Sequence, residues 1–237
     1  MSDTIRDPSP AEIKRWEAEA GKFAAEERKA LAETDKFASE AENSKVAGEL
    51  AKIDLARARR ADDEEMASNK YNFVYTFNDV VSESTVKYCV EQLSLWSRLR
   101  PHCEIEIIFN SPGGGVIPGM ALFDYIRLLR MRGHRITTTT LGMAASMAGI
   151  LLQAGDHRVI GREAYILIHE ISAGAIGKIG EMEDEVKFLR KIQGRILDIF
   201  AARAKVKRGY FASHWRRKDW WLDSAECLKI GLVDEVR

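Results

Sequence analysis

The sequence is poor in cysteine and has no excess of charge of either sign. Its three cysteines, Cys89, Cys103 and Cys227, lie far apart, and none stands in a CxxC pair or at a Cys/His metal-ligand spacing. We therefore expect buried, reduced thiols and no metal site. With 36 Lys+Arg against 36 Asp+Glu the net charge is zero, so the charge balance gives no reason to expect a nucleic-acid partner.

Long apolar runs are also missing. No stretch approaches the roughly 20 apolar residues that a membrane-spanning helix requires. The first ten residues lack the basic and apolar regions of a secretory signal peptide. The expectation is a cytoplasmic protein without a membrane partner. The apolar fraction of 46% and the charged fraction of 30% are those of a globular chain with a core.

Residues 1–68 differ in composition from the rest of the chain. Residues 1–10 are polar, contain two prolines and are expected to be disordered. Ser9-Pro10-Ala11-Glu12 then has the form of a helix start. From residue 11 to about residue 66 the chain is rich in Ala, Glu, Lys and Arg and has no proline, which favours one long helix or a pair of helices broken near 42–44.

A seven-residue spacing runs along this predicted helix. Trp16, Phe23, Ala30 and Phe37 follow it, but the companion positions are poor core residues. A solvated helical arm and a coiled-coil extension that stabilises an oligomer both remain open. The interrupted stripe favours the solvated arm.

A globular domain is predicted over residues 69–237, where β-branched and aromatic residues replace the Ala/Glu/Lys pattern. Strands alternate with helices, which indicates an α/β domain. The predicted strands are 71–77, 104–109, 136–141, 156–161, 164–168 and 232–236. The predicted helices are 82–99, 119–132, 145–152, 181–207 and 224–230.

Three features that could carry chemistry follow predicted strands. They are the glycine loop after 104–109, Ser146 after 136–141, and His169 after 164–168. In α/β folds the carboxyl ends of the strands gather the functional groups. A serine needs a base and a third group that orients the base, and Met147 and the Gly113-Gly114 turn offer backbone N–H groups for a developing oxyanion. Each feature alone also has a structural explanation: a helix cap, a turn, or a satisfied core histidine.

Four sequence blocks together resemble the ATP-dependent Clp protease proteolytic subunit (ClpP) family. They occur in the family's order over about residues 71–237. The blocks are Asn110-Ser111-Pro112-Gly113-Gly114, Gly142-Met143-Ala144-Ala145-Ser146-Met147-Ala148, Ile168-His169, and Leu222-Asp223-Ser224-Ala225-Glu226 with Gly231-Leu232-Val233-Asp234.

The resemblance implies a crotonase-like fold of repeated ββα units with a protruding handle helix, matched by 181–207, to which the arm is added. It implies a cofactor-free serine peptidase that cleaves polypeptides inside a homo-oligomeric ring. Stacked heptamers and an AAA+ unfoldase partner are further expectations of the same resemblance.

The resemblance also implies roles for individual residues. Ser146 matches the nucleophile, His169 the general base, and Asp219 the third member of the triad, with Asp223 a competing candidate. The family's oxyanion donors match Gly113 and Met147. The resemblance assigns Gly114 and Gly115 to substrate binding.

The chain departs from the family at two places. Glu170-Ile171 replaces the family's Gln-Pro after the histidine, and the arm replaces the short N-terminal loops where an unfoldase would dock. Three other functions stay open: a ClpP-type phage prohead (head maturation) protease, a catalytically silent ring component or scaffold, and a crotonase-type acyl-CoA enzyme.

Overall fold

The computed structural model describes residues 9–174 and 176–237. The chain divides into two units that part between Met66 and Ala67. The predicted disorder of the first ten residues falls almost entirely outside the described residues. No helix among the described residues is long and apolar enough to cross a membrane.

The first helix, α1 (Pro10–Ala67), is a single helix of 58 residues. The predicted start is confirmed: Ser9 N–H donates to Glu12 Oε2 at 2.7 Å, and Glu12 N–H donates to Ser9 Oγ at 3.3 Å. The predicted break near 42–44 is not observed, because helix propagation through neighbouring turns outweighs the weak propensity of two polar residues. No residue of α1 is buried.

Charge periodicity explains how such an exposed helix is supported. Acidic and basic side chains alternate three or four positions apart along one side of α1. The alternating residues are Glu12, Arg15, Glu19, Lys22, Glu26, Lys29, Glu33, Lys36 and Glu40. Arg15–Glu19 at 3.2 Å and Lys36–Glu40 at 3.8 Å are formed ion pairs of this series. Each such pair stabilises a helix by about 0.2–0.5 kcal/mol, so these pairs add local support to an exposed helix.

The second unit is built on one mixed sheet. Its strands are β1 (Val74–Phe77), β2 (Glu104–Ser111), β3 (Arg135–Ala145), β4 (His157–Ile160), β5 (Tyr165–Ile168), β6 (Trp220–Leu222) and β7 (Glu235–Val236). Its helices are α2 (Glu83–Leu99), α3 (Val116–Met131), α4 (Met147–Leu152), α5 (Ile179–Ala201), α6 (Arg208–His214) and α7 (Ser224–Ile230). The predicted α/β class is confirmed.

Strand β3 connects the two parts of this sheet. The parallel path runs β1-β2-β3-β4-β7. The first half of β3 pairs with β4 and its last three residues pair with β5, both in parallel. Strand β6 pairs antiparallel with β5. The carboxyl ends of β2, β3 and β5 therefore lie at one edge, where the sequence predicted the functional residues.

Two predicted boundaries move for tertiary reasons. The strand predicted to end near residue 141 continues to Ala145, because β5 pairs with Met143, Ala144 and Ala145. The handle helix predicted to reach 207 ends at Ala201. Just beyond it, the Arg203 guanidinium donates to the carbonyls of Gly155 and Asp156, which turns the chain out of the helix.

A nearly buried ion pair joins β4 to the segment before β7. The Arg158 side chain is 2% exposed and donates to Asp234 through Nη2 at 2.6 Å and Nε at 3.0 Å. Burial raises the pKa of Asp234, but the hydrogen bonds and charge of Arg158 outweigh it, so the pKa lies below its ordinary value. The ion pair therefore stabilises the fold most where Asp234 is ionised.

We predict that Asp234→Asn lowers the free energy of unfolding by about 3 kcal/mol at pH 7, because it leaves the Arg158 charge buried without its partner. The folded-state pKa of Asp234 lies below the unfolded value of about 3.8. The stabilisation is therefore complete above that value and is lost as the pH falls through the folded-state pKa. Urea unfolding measures the free energy of unfolding of both proteins as a function of pH. The difference between the Asp234→Asn variant and the native chain should become smaller below about pH 4.

Asp198→Asn is the matched control, because the Asp198–Arg208 pair is 65% and 50% exposed and should contribute at most about 1 kcal/mol. An equal loss in both variants at pH 7 would contradict the role of Arg158–Asp234.

Candidate active site

Ser146 is the single residue between β3 and α4. Its φ of 53° and ψ of −119° lie in a region that non-glycine residues rarely adopt. Ser146 N–H donates to the Leu167 carbonyl of β5 at 2.9 Å, which holds this sharp turn against the neighbouring strand. The Ser146 side chain makes no capping hydrogen bond to α4, so helix capping does not account for this serine.

Ser146 and His169 line one cavity of about 230 Å³. Their positions follow from parallel pairing: Ala145 of β3 is opposite Leu167 of β5, and each strand releases its functional residue at the same edge. The cavity wall is polar and apolar in about equal parts. The other lining residues are Pro112, Gly114, Val116, Met147, Ile150, Ile168, Glu170, Ile171, Ser172, Ile196 and Phe200.

The glycine loop lies directly against the Ser146 turn. Gly113 has a φ of +89°, and a Cβ placed on it would collide with the Ala145 carbonyl and lie 2.8 Å from the Met147 nitrogen. Only glycine fits this close approach. Gly115 does not line the cavity; it precedes α3, and its N–H donates to the Val81 carbonyl at 2.7 Å.

Backbone N–H groups at the cavity differ in their availability. Gly113 N–H donates to Ser111 Oγ at 3.2 Å, and Ser111 Oγ donates to the Asp79 carbonyl at 2.5 Å. Met147 is in the first turn of α4, where an N–H has no acceptor within the helix. Among the described residues Gly114 N–H has no acceptor either, and Gly114 lines the cavity with Ser146 and Met147.

Asp219 does not line the cavity; it directly precedes β6, the strand that pairs with β5. Ile168 of β5 is paired with Trp220 of antiparallel β6. Continuing this register by one residue beyond the paired strands would set His169 opposite Asp219, and directly opposed residues have Cβ atoms about 5 Å apart. Asp219 is exposed. Within the described residues, no side-chain hydrogen bond joins it, His169 and Ser146.

Asp223, the competing acid, is occupied elsewhere. It is the N-cap of α7: its Oδ1 accepts from Glu226 N–H at 2.8 Å, and its own N–H donates to Glu226 Oε2 at 3.0 Å. Leu222 pairs with Ile166, so Asp223 lies at the opposite end of β5 from His169.

Several cavity residues were not predicted from the sequence. Ile196 and Phe200 reach the cavity from α5, and Ser172 from the segment after β5. Glu170 lines it too, and its Oε2 accepts from Arg217 N–H at 3.0 Å. The sequence marked Glu170 as unusual, because Glu170-Ile171 replaces the family's Gln-Pro. That replacement does not reveal that the partner of Glu170 is Arg217, 47 residues away.

Other reactive groups are not arranged for chemistry. Burial raises the pKa of the Cys89 and Cys227 thiols, and both residues are fully buried, so neither offers an accessible thiolate. Within residues 9–174 and 176–237, no three His, Cys, Asp or Glu residues form a group that could hold a metal ion.

Comparison with known proteins decides which family has this arrangement. The family model described as Clp protease matches residues 62–237. The chain belongs to the Clp protease family. It is also similar to the ATP-dependent Clp protease proteolytic subunit of Deinococcus radiodurans, with 33% identity over 149 residues, covering 62% of this chain and 71% of the relative.

Membership in the Clp protease family makes this chain a peptidase of that family, with the family's fold. The match covers the whole sheet and every residue that lines the cavity. Most of α1 lies outside the match.

We predict that Gly113→Ala abolishes most peptide hydrolysis, because the added Cβ would push the loop away from the Met147 amide and strain a backbone at positive φ. The strain alone should lower the free energy of unfolding by roughly 1–3 kcal/mol. Hydrolysis of a fluorogenic peptide and thermal unfolding measure the two effects. Gly174→Ala is the control, since a Cβ there meets nothing within 4 Å. Native activity in Gly113→Ala would refute the close approach.

Proposed function

We propose that this chain is a serine endopeptidase that hydrolyses polypeptides with Ser146 as nucleophile, His169 as general base and Asp219 as the residue that orients the base. The observation that carries the proposal is that Ser146 and His169, from separate strands, line one cavity beside the Met147 amide. A serine in a strained strand-to-helix turn presents its hydroxyl to such a cavity.

The chemistry proceeds by acyl transfer. His169 takes the proton from Ser146 Oγ as that oxygen attacks the peptide carbonyl, and then gives the proton to the leaving amine. Water attacks the acyl-enzyme in the second half-reaction, with His169 again as base. Among the described residues no hydrogen bond joins the side chains of Ser146 and His169, which agrees with a site without substrate, in which catalytic hydrogen bonds are often long.

The developing oxyanion needs two N–H donors. Met147 supplies one. The Gly113-Gly114 turn supplies the other, and the Gly114 amide is better suited than that of Gly113, since Gly113 N–H already donates to Ser111 Oγ. Loss of one such donor typically costs about a hundredfold in rate.

The assembly proposed with this activity is a homo-oligomeric ring, in stacked heptamers. Helix α5 supports it: only Ile196, Leu197 and Phe200 near its C-terminal end are buried, while Ile179 and Val186 nearer its start are 74% and 43% exposed. Exposed apolar residues along one helix are typical of a protein–protein contact. The name of the Deinococcus relative makes an ATP-dependent unfoldase a candidate partner.

We predict that Ser146→Ala lowers peptide hydrolysis by at least about a thousandfold, because no other nucleophile replaces the hydroxyl. Ser172→Ala, in the same cavity, should retain activity near that of the native chain. The assay is steady-state cleavage of a fluorogenic peptide by the two purified full-length variants. Equal activity in Ser146→Ala and the native chain would reject this nucleophile, and no cleavage by the native chain in any assembled form would favour a silent ring component.

We predict that Asp219→Asn lowers kcat on the order of 10³- to 10⁴-fold, because an amide neither holds the imidazole tautomer nor stabilises the imidazolium. Asp223→Asn is the matched substitution and should leave kcat within about threefold, since asparagine is an equally good N-cap for α7. The reverse order of the two effects would transfer the orienting role to Asp223.

A further inference from the structure

The turn that carries Asp219 is weakly attached to the rest of the domain. It begins at Trp215, which is buried, and ends at Trp220, which pairs with Ile168. Residues 216–219 between them are all exposed. Arg217 has a φ of +58°, a left-handed conformation that a non-glycine side chain disfavours.

One side chain among the described residues donates to or accepts from this exposed part of the turn. Glu170 Oε2 accepts from Arg217 N–H at 3.0 Å. At 3.0 Å the Glu170 oxygen is within normal hydrogen-bond distance of the Arg217 nitrogen. The bond therefore holds Arg217 in its left-handed conformation, which this residue would otherwise leave for a more favourable negative φ.

Glu170 is also in the right place for such a link. It directly follows His169 at the end of β5, it is half-buried, and it lines the cavity. Its bond to Arg217 connects the segment that carries His169 to the turn that carries Asp219, two residues further along. The relative position of the imidazole and the carboxylate thus depends on β5–β6 pairing on one side and on this bond on the other.

We infer that Glu170 is a positioning residue, whose carboxylate holds the 215–219 turn through the Arg217 amide and so keeps Asp219 against His169. The inference rests on the proposed role of Asp219. It assigns a function to the residue at which this chain differs from the family's Gln-Pro sequence.

The competing explanation that the experiment must exclude is that the Glu170 charge attracts basic substrate side chains into the cavity. The two roles need different properties of the side chain. Positioning needs the reach of the acceptor oxygen, whereas attraction needs the negative charge. Glu170→Gln keeps the reach and removes the charge, and Glu170→Asp keeps the charge and shortens the reach by one methylene.

The experiment compares kcat and KM of these two full-length variants on a neutral and a lysine-containing fluorogenic peptide. Glu170→Gln should stay within about threefold of the native kcat, since its amide oxygen still accepts. Glu170→Asp should lose about tenfold or more in kcat on both peptides with little change in KM, because the orienting group is displaced. The opposite order, with KM for the lysine peptide raised in Glu170→Gln, would overturn the inference in favour of the charge.

A double substitution separates positioning of Asp219 from general destabilisation. In the Asp219→Asn background Glu170→Asp should cause no further loss in kcat, because the group that it positions is already disabled. Equal fractional losses in both backgrounds would contradict the inference. Arg216→Ala, an exposed neighbour in the turn, is the side-chain control and should match the native chain.

The outcomes also separate this inference from the proposed function. If Ser146→Ala retains hydrolysis, the serine mechanism fails whatever the Glu170 variants do. If Ser146→Ala is inactive and Glu170→Asp equals the native chain, the mechanism stands and the role of Glu170 fails alone.

Discussion

The hydrogen bond from Ser146 N–H to the Leu167 carbonyl, 2.9 Å long, is the interaction on which the site depends. It joins the end of β3 to β5 at the level where each strand releases a functional residue. It extends the β3–β5 pairing by one residue to the strained turn itself, and so holds Ser146 against the strand that His169 follows. The bond forms because β3 continues past its β4 partner and pairs with β5 through Ala145.

The site also requires the backbone of the glycine loop to lie close to the backbone of the Ser146 turn. Gly113 contacts the Ser146 turn without a Cβ, and small buried residues at Ala144 and Ala145 let β2, β3 and the loop come together. This packing brings the Gly114 and Met147 amides to the cavity with no acceptor within the described residues. These two N–H groups are the donors that the oxyanion of the proposed reaction would need.

Local sequence patterns were sufficient to predict the strands and the order of the residues that follow them, but not the end of β3, which pairing with β5 extends to Ala145. Ser146, His169 and the glycine loop could be predicted because each follows a β-branched or apolar run, and the capping box at Ser9 set the start of α1. The end of α5 at Ala201 could not be predicted in this way. It depends on hydrogen bonds from Arg203 to the Gly155 and Asp156 carbonyls, almost 50 residues earlier in the chain.

The choice between Asp219 and Asp223 shows the same limit. The two acids flank the same apolar run, Trp220-Trp221-Leu222, and the antiparallel register of β5 and β6 distinguishes them. The Glu170–Arg217 bond likewise spans 47 residues and leaves no local pattern. In α1 the prediction of a break failed for the opposite reason: weak local signals at 42–44 are outweighed by the cooperativity of a long helix.

The proposed function depends above all on Ser146 being the nucleophile of this peptidase. Mass-spectrometric mapping of the full-length chain after reaction with a fluorophosphonate tests it most directly, since the probe labels only a serine that a base activates. The account predicts one modified peptide with the adduct on Ser146, and loss of that adduct when His169 is replaced by alanine. An adduct on another residue, or labelling of Ser146 that is unchanged without His169, would contradict it.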